Sequence, residues 1–416
     1  MKFLGGSKPY LLLFIGRFYY RLAFLALTLV LSSVWERADF GFYASKMGTW
    51  ILIDTIIISG MGKSLPKLLT NYKRLREIII REAILIAILG SLIIVAIISA
   101  VGLLLSHTVD VGFDMLDIIV IVSLLVYSIS TVMQCILRVM GNVSYDYAIS
   151  FILGSLILGF AGFSFFVEMA PATNVAIRTL FFIPVNVVAA RTILKLYPIK
   201  RKYGRKLHKT ISRRIIKETA VMGFNGVVMD ANVSVINIIF RFSGLFGAAA
   251  DFNLVLAILG PFIAFFRYLL FILIPNILEI ARKGGRHFMN NHSMKVLLCI
   301  CLITVVSVGT ALIIASAGRE PIIIFILFVC RLPLLFIFET LLVYFEATMN
   351  KNLIFTAKVC VVGFIVCAVS AILFIPRFEA TGSIFALIAT DIVTIAIFLN
   401  SFYRSRSEKI SILQED

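Results

Sequence analysis

Long apolar runs recur along this chain, with short polar or charged segments between them. A helix needs roughly 20 apolar residues to cross a hydrocarbon core about 30 Å thick. The pattern therefore predicts twelve transmembrane helices. Their expected ranges are 11–34, 42–65, 82–105, 116–137, 146–168, 174–195, 216–240, 248–276, 295–316, 322–348, 353–375 and 383–402.

The composition supports a membrane protein. Hydrophobic residues make up 61% of the 416 positions, and the mean hydropathy is +1.03, both outside the range of a soluble domain. Bilayer-spanning segments of this length are helical because each helix satisfies its own backbone hydrogen bonds. We expect an all-α polytopic membrane protein.

The basic residues predict the orientation of the chain. Most of the 39 Lys and Arg residues lie at the two termini and in every second connection between helices. Positive charge is retained on the cytoplasmic side, so both the N- and C-termini are predicted to be cytoplasmic. The net charge of +17 follows from this topology and favours contact with an anionic leaflet rather than with nucleic acid.

The chain also divides into two similar halves. The second and eighth helices start with the same dipeptide and end near a proline: Phe40-Gly41 and Phe246-Gly247, then Pro66 and Pro275. An even number of spans in each half predicts two six-helix bundles related by a pseudo-two-fold axis along the membrane normal. The expected parts are a first bundle at 1–197, a basic cytoplasmic linker at 198–215, a second bundle at 216–403 and a tail at 404–416.

A polar stripe runs along the seventh helix. At helical spacing, one face carries Thr219, Gly223, Gly226, Asp230, Ser234, Asn237 and Arg241. Small residues on one face are typical of a close contact between two helices. They also fit a hydrated cleft, and for Asp230 and Asn237 we favour the cleft.

The first helix carries a related arrangement. Arg17, Arg21, Thr28 and Ser32 share a face, with both arginines toward the predicted cytoplasmic end. The arginines could extend to the lipid headgroups. Alternatively, their i, i+4 spacing lets two guanidinium groups reach one diphosphate.

Other charges lie deep in the predicted spans. They are Asp54, Arg267, Arg331, Glu339 and Asp391. A charge at mid-bilayer costs about 2.5–3.5 kcal/mol on insertion scales, so each needs a polar cavity or a partner. The arginines are either cavity residues or halves of ion pairs with Asp54, Asp230 or Glu339.

Catalytic and cofactor motifs are scarce. The four histidines fall in loops, and neither a Walker A nor a dinucleotide-binding motif occurs. The six cysteines lie in or beside apolar helices without the spacing of a metal site. We expect a protein that is not an enzyme and binds neither a cofactor nor a metal.

Short motifs at the helix ends resemble a known transporter family. In the first half they are the segments 31–43, with Trp35 and Phe40-Gly41-Phe42-Tyr43, and 57–65, with Gly60-Met61-Gly62. In the second half they are the segment 230–252 and Ile274-Pro275. They are similar to polysaccharide flippases of the multidrug/oligosaccharidyl-lipid/polysaccharide exporter superfamily. The resemblance in topology covers essentially the whole chain.

This resemblance implies a flippase in a bacterial or archaeal cytoplasmic membrane. It would carry an undecaprenyl-diphosphate-linked oligosaccharide to the outer leaflet by alternating access, for surface polysaccharides such as O-antigen, driven by ion gradients or membrane potential. The expected substrate-binding residues are Arg17, Arg21, Arg267 and Asn237. Those expected to line the cavity or couple an ion are Asp54, Asp230, Arg331 and Glu339.

Partners and alternatives remain open at this point. Besides the lipid-linked substrate and the bilayer, polysaccharide polymerase or glycosyltransferase machinery is an expected partner. One alternative function is a multidrug-type, ion-coupled antiporter of the same fold. Another is a membrane-embedded polymerase, although the predicted outside loops are too short to hold a sugar over a catalytic site.

Overall fold

The computed structural model describes residues 8–108, 113–198, 204–263, 320–348 and 353–415, and the regular secondary structure within these ranges is helical. The helices are α1 Lys8–Val34, α2 Arg37–Asn71, a 3₁₀ turn Lys73–Leu75, α3 Arg76–Thr108, α4 Met115–Val139, α5 Val143–Phe166, α6 Pro171–Leu196, α7 Arg205–Phe242, α8 Phe246–Ile263, α9 Glu320–Thr348 and α10 Leu353–Glu415.

Eight of these helices are long and apolar enough to cross a membrane. The prediction of an all-α, multi-pass membrane protein is therefore confirmed. Helices α2 and α7 are 35 and 38 residues long but carry more polar positions. The ninth expected helix, 295–316, lies outside the described residues, and the cytoplasmic termini and the pseudo-symmetry stay predictions.

The last helix contains a break. Glu379 has φ 51° and ψ −128°, so the regular helix is interrupted there. A positive φ is unfavourable for a residue with a side chain and marks a local change of direction. The break falls between the two helices expected at 353–375 and 383–402.

The chain forms two compact units, Met1–Ala250 and Asp251–Asp416. In the first unit α1 packs on α5, α4 packs on α6, and α2 lies against both α4 and α7. Helix α7 is thus part of the first unit by its contacts. The expected division of the sequence at 198–215 stays a prediction.

The apolar core of the first unit lies toward the end of the helices with the basic connections. Leu65 and Leu69 of α2 are buried there with Ile78 of α3, Ile136 of α4 and Ile193 of α6. In the second unit α9 packs along α10. Both units hold buried charges as well as apolar side chains.

Candidate functional site: buried charges among the membrane helices

The first buried group, here named the Asp117 cluster, begins at the start of α4. Asp114 caps this helix: its Oδ1 accepts the N–H groups of Leu116 (2.8 Å) and Asp117 (3.2 Å). In return, Asp117 Oδ2 accepts the N–H of Asp114 (3.1 Å), which completes a capping box. The cap fixes both carboxylates at the helix N-terminus.

Two cations and an indole complete the cluster. Lys46 Nζ lies 2.7 Å from Asp117 Oδ2 and 2.6 Å from Asp114 Oδ1. Arg241 Nη1 and Nη2 donate to the two Asp117 oxygens at 3.2 and 3.4 Å, and Trp50 Nε1 donates to Oδ1 at 2.6 Å. Lys46 and Asp117 are fully buried. Two positive and two negative charges balance, so the cluster is neutral.

Asp114, which lies just outside the span of α4, shows the electrostatic effect of Lys46. Burial raises the pKa of Asp114, but the Lys46 ammonium and two backbone N–H donors lower it by more. The net pKa is below the ordinary value, so the carboxylate is charged at neutral pH. The cluster therefore joins α2, α4 and α7 by charge-assisted hydrogen bonds.

The polar stripe of α7 faces α2 in this structure. Ser234 Oγ donates to the carbonyl of Gly48 (3.0 Å), and Thr219 shares a hydrogen bond with Ser64 (3.1 Å). Asn237 is fully buried beside Gly48, and its Nδ2 donates to the carbonyl of Val233 (3.0 Å). At these positions the stripe makes a close helix contact with α2.

The contact between α2 and α7 limits how Asn237 and Asp230 could fulfil their predicted roles. Asn237 can bind substrate only in a state in which α2 and α7 have separated. Asp230 is half-buried on the same face and has interactions of its own. The substrate role of Asn237 and the cavity role of Asp230 stay predictions.

The second group, the Asp146 cluster, joins α1, α4 and α5. Asp146 is fully buried in the first turn of α5. Arg138 Nε donates to its Oδ2 at 3.1 Å, and Arg17 Nη2 lies 3.8 Å from the same oxygen. Arg21, one turn after Arg17, is exposed. The structure thus pairs Arg17 with a carboxylate and leaves Arg21 at the surface.

The third group, the Asp391 cluster, lies in the second unit. Arg331 Nε and Nη2 donate to the two oxygens of Asp391 at 2.6 and 3.2 Å, so the pair is bidentate. Both side chains are buried, as is Glu339. The Arg331 guanidinium also lies 5.6 Å from the Phe328 ring. The ion-pair alternative therefore holds for Arg331, and its partner among the described side chains is Asp391, which was not one of the three carboxylates expected from the sequence.

Arg178 of α6 is a buried cation of a different kind. Its guanidinium donates to Tyr43 Oη (3.1 Å) and lies over the Phe24 ring. Among the described residues no carboxylate forms an ion pair with it. Aromatic rings and a hydroxyl provide its surroundings instead.

Several of these residues were missed from the sequence. The sequence pattern does not single out the basic residues Lys46, Arg138 and Arg178 or the acidic residues Asp117 and Asp146. The Asp114-x-x-Asp117 spacing at a helix start is a local signal that could have identified one of them. The Asp54 side chain and the whole of Arg267 lie outside the described part of the chain. Within that part, no group of three or more His, Cys, Asp or Glu residues could hold a metal ion.

No protein-family model matches the sequence, and no curated protein matches it significantly. Solved structures do match. An inward-facing multidrug resistance transporter of the MATE family has a TM-score of 0.68 at 14% identity, covering 94% of this chain and 95% of that chain. The lipid II flippase MurJ has a TM-score of 0.64 at 15% identity, covering 94% and 87%. This chain has the fold of MOP-superfamily transporters.

A third match has the same fold. It is a MOP-superfamily transporter from Pyrococcus furiosus, with a TM-score of 0.58 at 13% identity, covering 97% of this chain and 96% of that chain. At these identities the likeness concerns the MOP fold alone. It confirms the resemblance found in the sequence at that level and makes this a multi-pass membrane protein of a transporter fold.

Proposed function

We propose that this MOP-fold protein is a flippase for an undecaprenyl-diphosphate-linked oligosaccharide. By alternating access it would move the head group from the cytoplasmic to the outer leaflet, in surface polysaccharide biosynthesis. The proposal is carried by which charged side chains are paired and which are exposed. Buried Asp117, Asp146 and Asp391 are each paired with Arg or Lys, whereas Arg17 and Arg21 retain exposed surface.

A surplus of guanidinium groups fits an anionic head group. Two arginines on one helix face can together hold the oxygens of a diphosphate by parallel N–H donors. Arg17 and Arg21 would therefore bind the diphosphate, with Arg267 as a third arginine. Asn237 would contact substrate once α7 leaves α2, and Asp54, Asp230, Arg331 and Glu339 would line the cavity or couple an ion.

The main alternative is an ion-coupled multidrug antiporter of the same fold. It is supported by matches to multidrug transporters, among them one solved in complex with R6G. A site for a cationic drug needs an acidic group with a free charge. The pairing of Asp117, Asp146 and Asp391 with Lys or Arg favours the flippase over this alternative. A membrane-embedded polymerase is less favoured, because its expected platform of long outside loops is not predicted.

The test is a reconstituted flipping assay. Purified protein is placed in liposomes with a fluorescent undecaprenyl-diphosphate-linked disaccharide, and loss of fluorescence to an external quencher reports the flipped fraction. We expect flipping by the wild type and at least a tenfold slower rate for Arg21→Ala, because about 1.5–3 kcal/mol of charge-assisted binding is lost. Arg21→Lys should retain part of the rate.

The control and the contrary outcome are defined in the same assay. Arg191→Ala, an exposed basic residue of α6, should flip at the wild-type rate. If the wild type fails to flip the lipid but exports rhodamine 6G against an ion gradient, the protein is the antiporter. A normal rate for Arg21→Ala would remove that residue from the site.

A further inference from the structure

The Asp146 cluster is assembled by close packing of α1 on α5 and by a tight turn between α4 and α5. Gly16 allows the approach, because a Cβ there would lie 2.8 Å from the Tyr147 ring. Gly141, at φ 82°, occupies the left-handed region that a short turn requires. The packing places Arg17 beside Asp146, and the turn brings Arg138 to the same carboxylate.

The hydrogen bonding of this cluster is incomplete. The 3.8 Å separation between Arg17 Nη2 and Asp146 Oδ2 exceeds hydrogen-bond distance. Among the residues that the structure describes, Arg17 Nε is buried without an acceptor and Asp146 Oδ1 is buried without a donor. A buried donor with no partner is costly, so Arg17 is poised to bind a further acceptor.

The charges point to the chemistry of that acceptor. Two guanidinium groups share one carboxylate, which leaves a net charge of about +1 at neutral pH. The Arg17 and Arg138 side chains are 35% and 31% exposed, whereas Asp146 is completely buried. The cations are therefore accessible while the anion that holds them is not. A multiply charged oxyanion such as a diphosphate matches two neighbouring guanidinium forks.

We propose that Asp146 is an internal counter-anion that holds Arg17 and Arg138 in the empty protein and yields them to the diphosphate of the substrate. Arg138 is then a binding residue beside Arg17, and Asp146 is a positioning residue that competes with the substrate. Diphosphate binding takes the loosely held Arg17 first and then weakens the Arg138 bond. The identification of the diphosphate as part of a lipid-linked oligosaccharide rests on the proposed function. The existence of a diphosphate site at Arg17 and Arg138 does not.

The competing explanation is a structural ion pair that only joins α1, α4 and α5. The two explanations differ for Asp146→Asn. If the carboxylate competes for the arginines, its removal raises the affinity for an anion. If it only holds the helices together, its removal loosens the arginines and lowers that affinity.

The experiment measures binding of inorganic pyrophosphate to purified full-length protein in nanodiscs by titration calorimetry. Arg138→Ala should weaken binding roughly tenfold or more, since charge-assisted hydrogen bonds are lost. Arg138→Lys should fall between this variant and the wild type. Asp146→Asn should bind about tenfold more tightly, while its maximal flipping rate falls because the substrate leaves slowly. Arg191→Ala should match the wild type.

Weaker pyrophosphate binding by Asp146→Asn, or unchanged binding by Arg138→Ala, would overturn the proposal. If Asp146→Asn is not recovered folded, the double variant Arg138→Ala/Asp146→Asn replaces it. That variant should bind pyrophosphate more tightly than Arg138→Ala alone, and equal or weaker binding would count against the counter-anion. If the variants bind pyrophosphate as expected but the protein does not flip the lipid-linked disaccharide, the proposed function is refuted and the diphosphate site is retained.

Discussion

At the scale of single residues, Asp117 makes polar contacts through both of its carboxylate oxygens. Its two oxygens accept from Lys46, Arg241 and Trp50 and from a backbone N–H. Both Asp117 oxygens are fully hydrogen-bonded, and the Lys46 ammonium beside them is fully buried. Such a buried network of charges is stable only when every member has its partners. Loss of the Asp117 charge leaves the buried Lys46 with the half-exposed Asp114 and takes a buried carboxylate from Arg241.

Asp117→Asn should therefore destabilise the protein strongly. We expect a loss of about 3 kcal/mol or more in the free energy of unfolding, because a buried ion pair is broken on one side only. The measurement is denaturant unfolding in detergent. Asp114→Asn is the matched control: Asp114 binds the same Lys46 but is about half exposed, so its loss should be well below that of Asp117→Asn. Equal losses would contradict the central role of Asp117.

Sequence reasoning could find charged residues at this scale but not their partners. Arg17 and Arg331 stand out because a charge in an apolar run is unusual. Their partners come from other helices: Arg331 and Asp391 are 60 positions apart, and Lys46 and Asp117 are 71 apart. Pairing over such separations depends on which helix faces meet, and single-helix periodicity carries no such information.

At the scale of helices, α2 and α7 lie so close that their backbones nearly touch. A Cβ on Gly60 would lie 2.4 Å from the Thr219 carbonyl oxygen, and one on Gly48 would lie 2.2 Å from Asn237 Nδ2. Small residues let helices approach in this way, and the polar groups of α7 then find partners on α2. This contact buries residues that the cleft hypothesis needs exposed, so the proposed transport requires α2 and α7 to separate.

Gly60→Ala should weaken this contact. The new methyl group meets a backbone carbonyl, which cannot rotate aside, so we expect a loss of about 1–3 kcal/mol in unfolding free energy. Gly62→Ala is the control on the same helix, because nothing lies within 4 Å of its Cβ position. That variant should be neutral or more stable by up to about 1 kcal/mol. Equal effects of the two substitutions would show that α2 and α7 do not pack as described.

The helix ranges were largely predictable, since apolar runs of bilayer length mark most of them. The larger errors are at the ends with the basic connections. Helix α2 continues through Pro66 to Asn71 rather than ending at 65, and α7 begins at Arg205 rather than at 216. The α7 extension is mostly polar, and the α2 extension begins with Pro66 and Lys67, so hydropathy does not continue either helix through them. The α7 extension is held by Glu82 of α3, which bonds His208 and Ser212.

At the scale of the whole molecule, contacts and sequence halves divide the chain differently. The first compact unit ends at Ala250 and includes α7, whereas the repeated sequence features place α7 at the start of the second half. The polar stripe explains this, because it attaches α7 to α2. If the predicted halves are correct, α7 belongs to one half by sequence and to the other by contact, and the proposed transport cycle would require it to change partners.

Orientation in the membrane is the remaining property of the whole molecule, and the positive-inside rule predicts it. The connection between α5 and α6, with Glu168, should face outward, and the start of α5, with Ser144, should face the cytoplasm; both side chains are exposed. With the six native cysteines replaced, an impermeant maleimide should label Glu168→Cys in intact spheroplasts. It should label Ser144→Cys only after permeabilisation. The reverse pattern would invert the topology and place the Asp146 cluster, with Arg17, on the side away from newly made substrate.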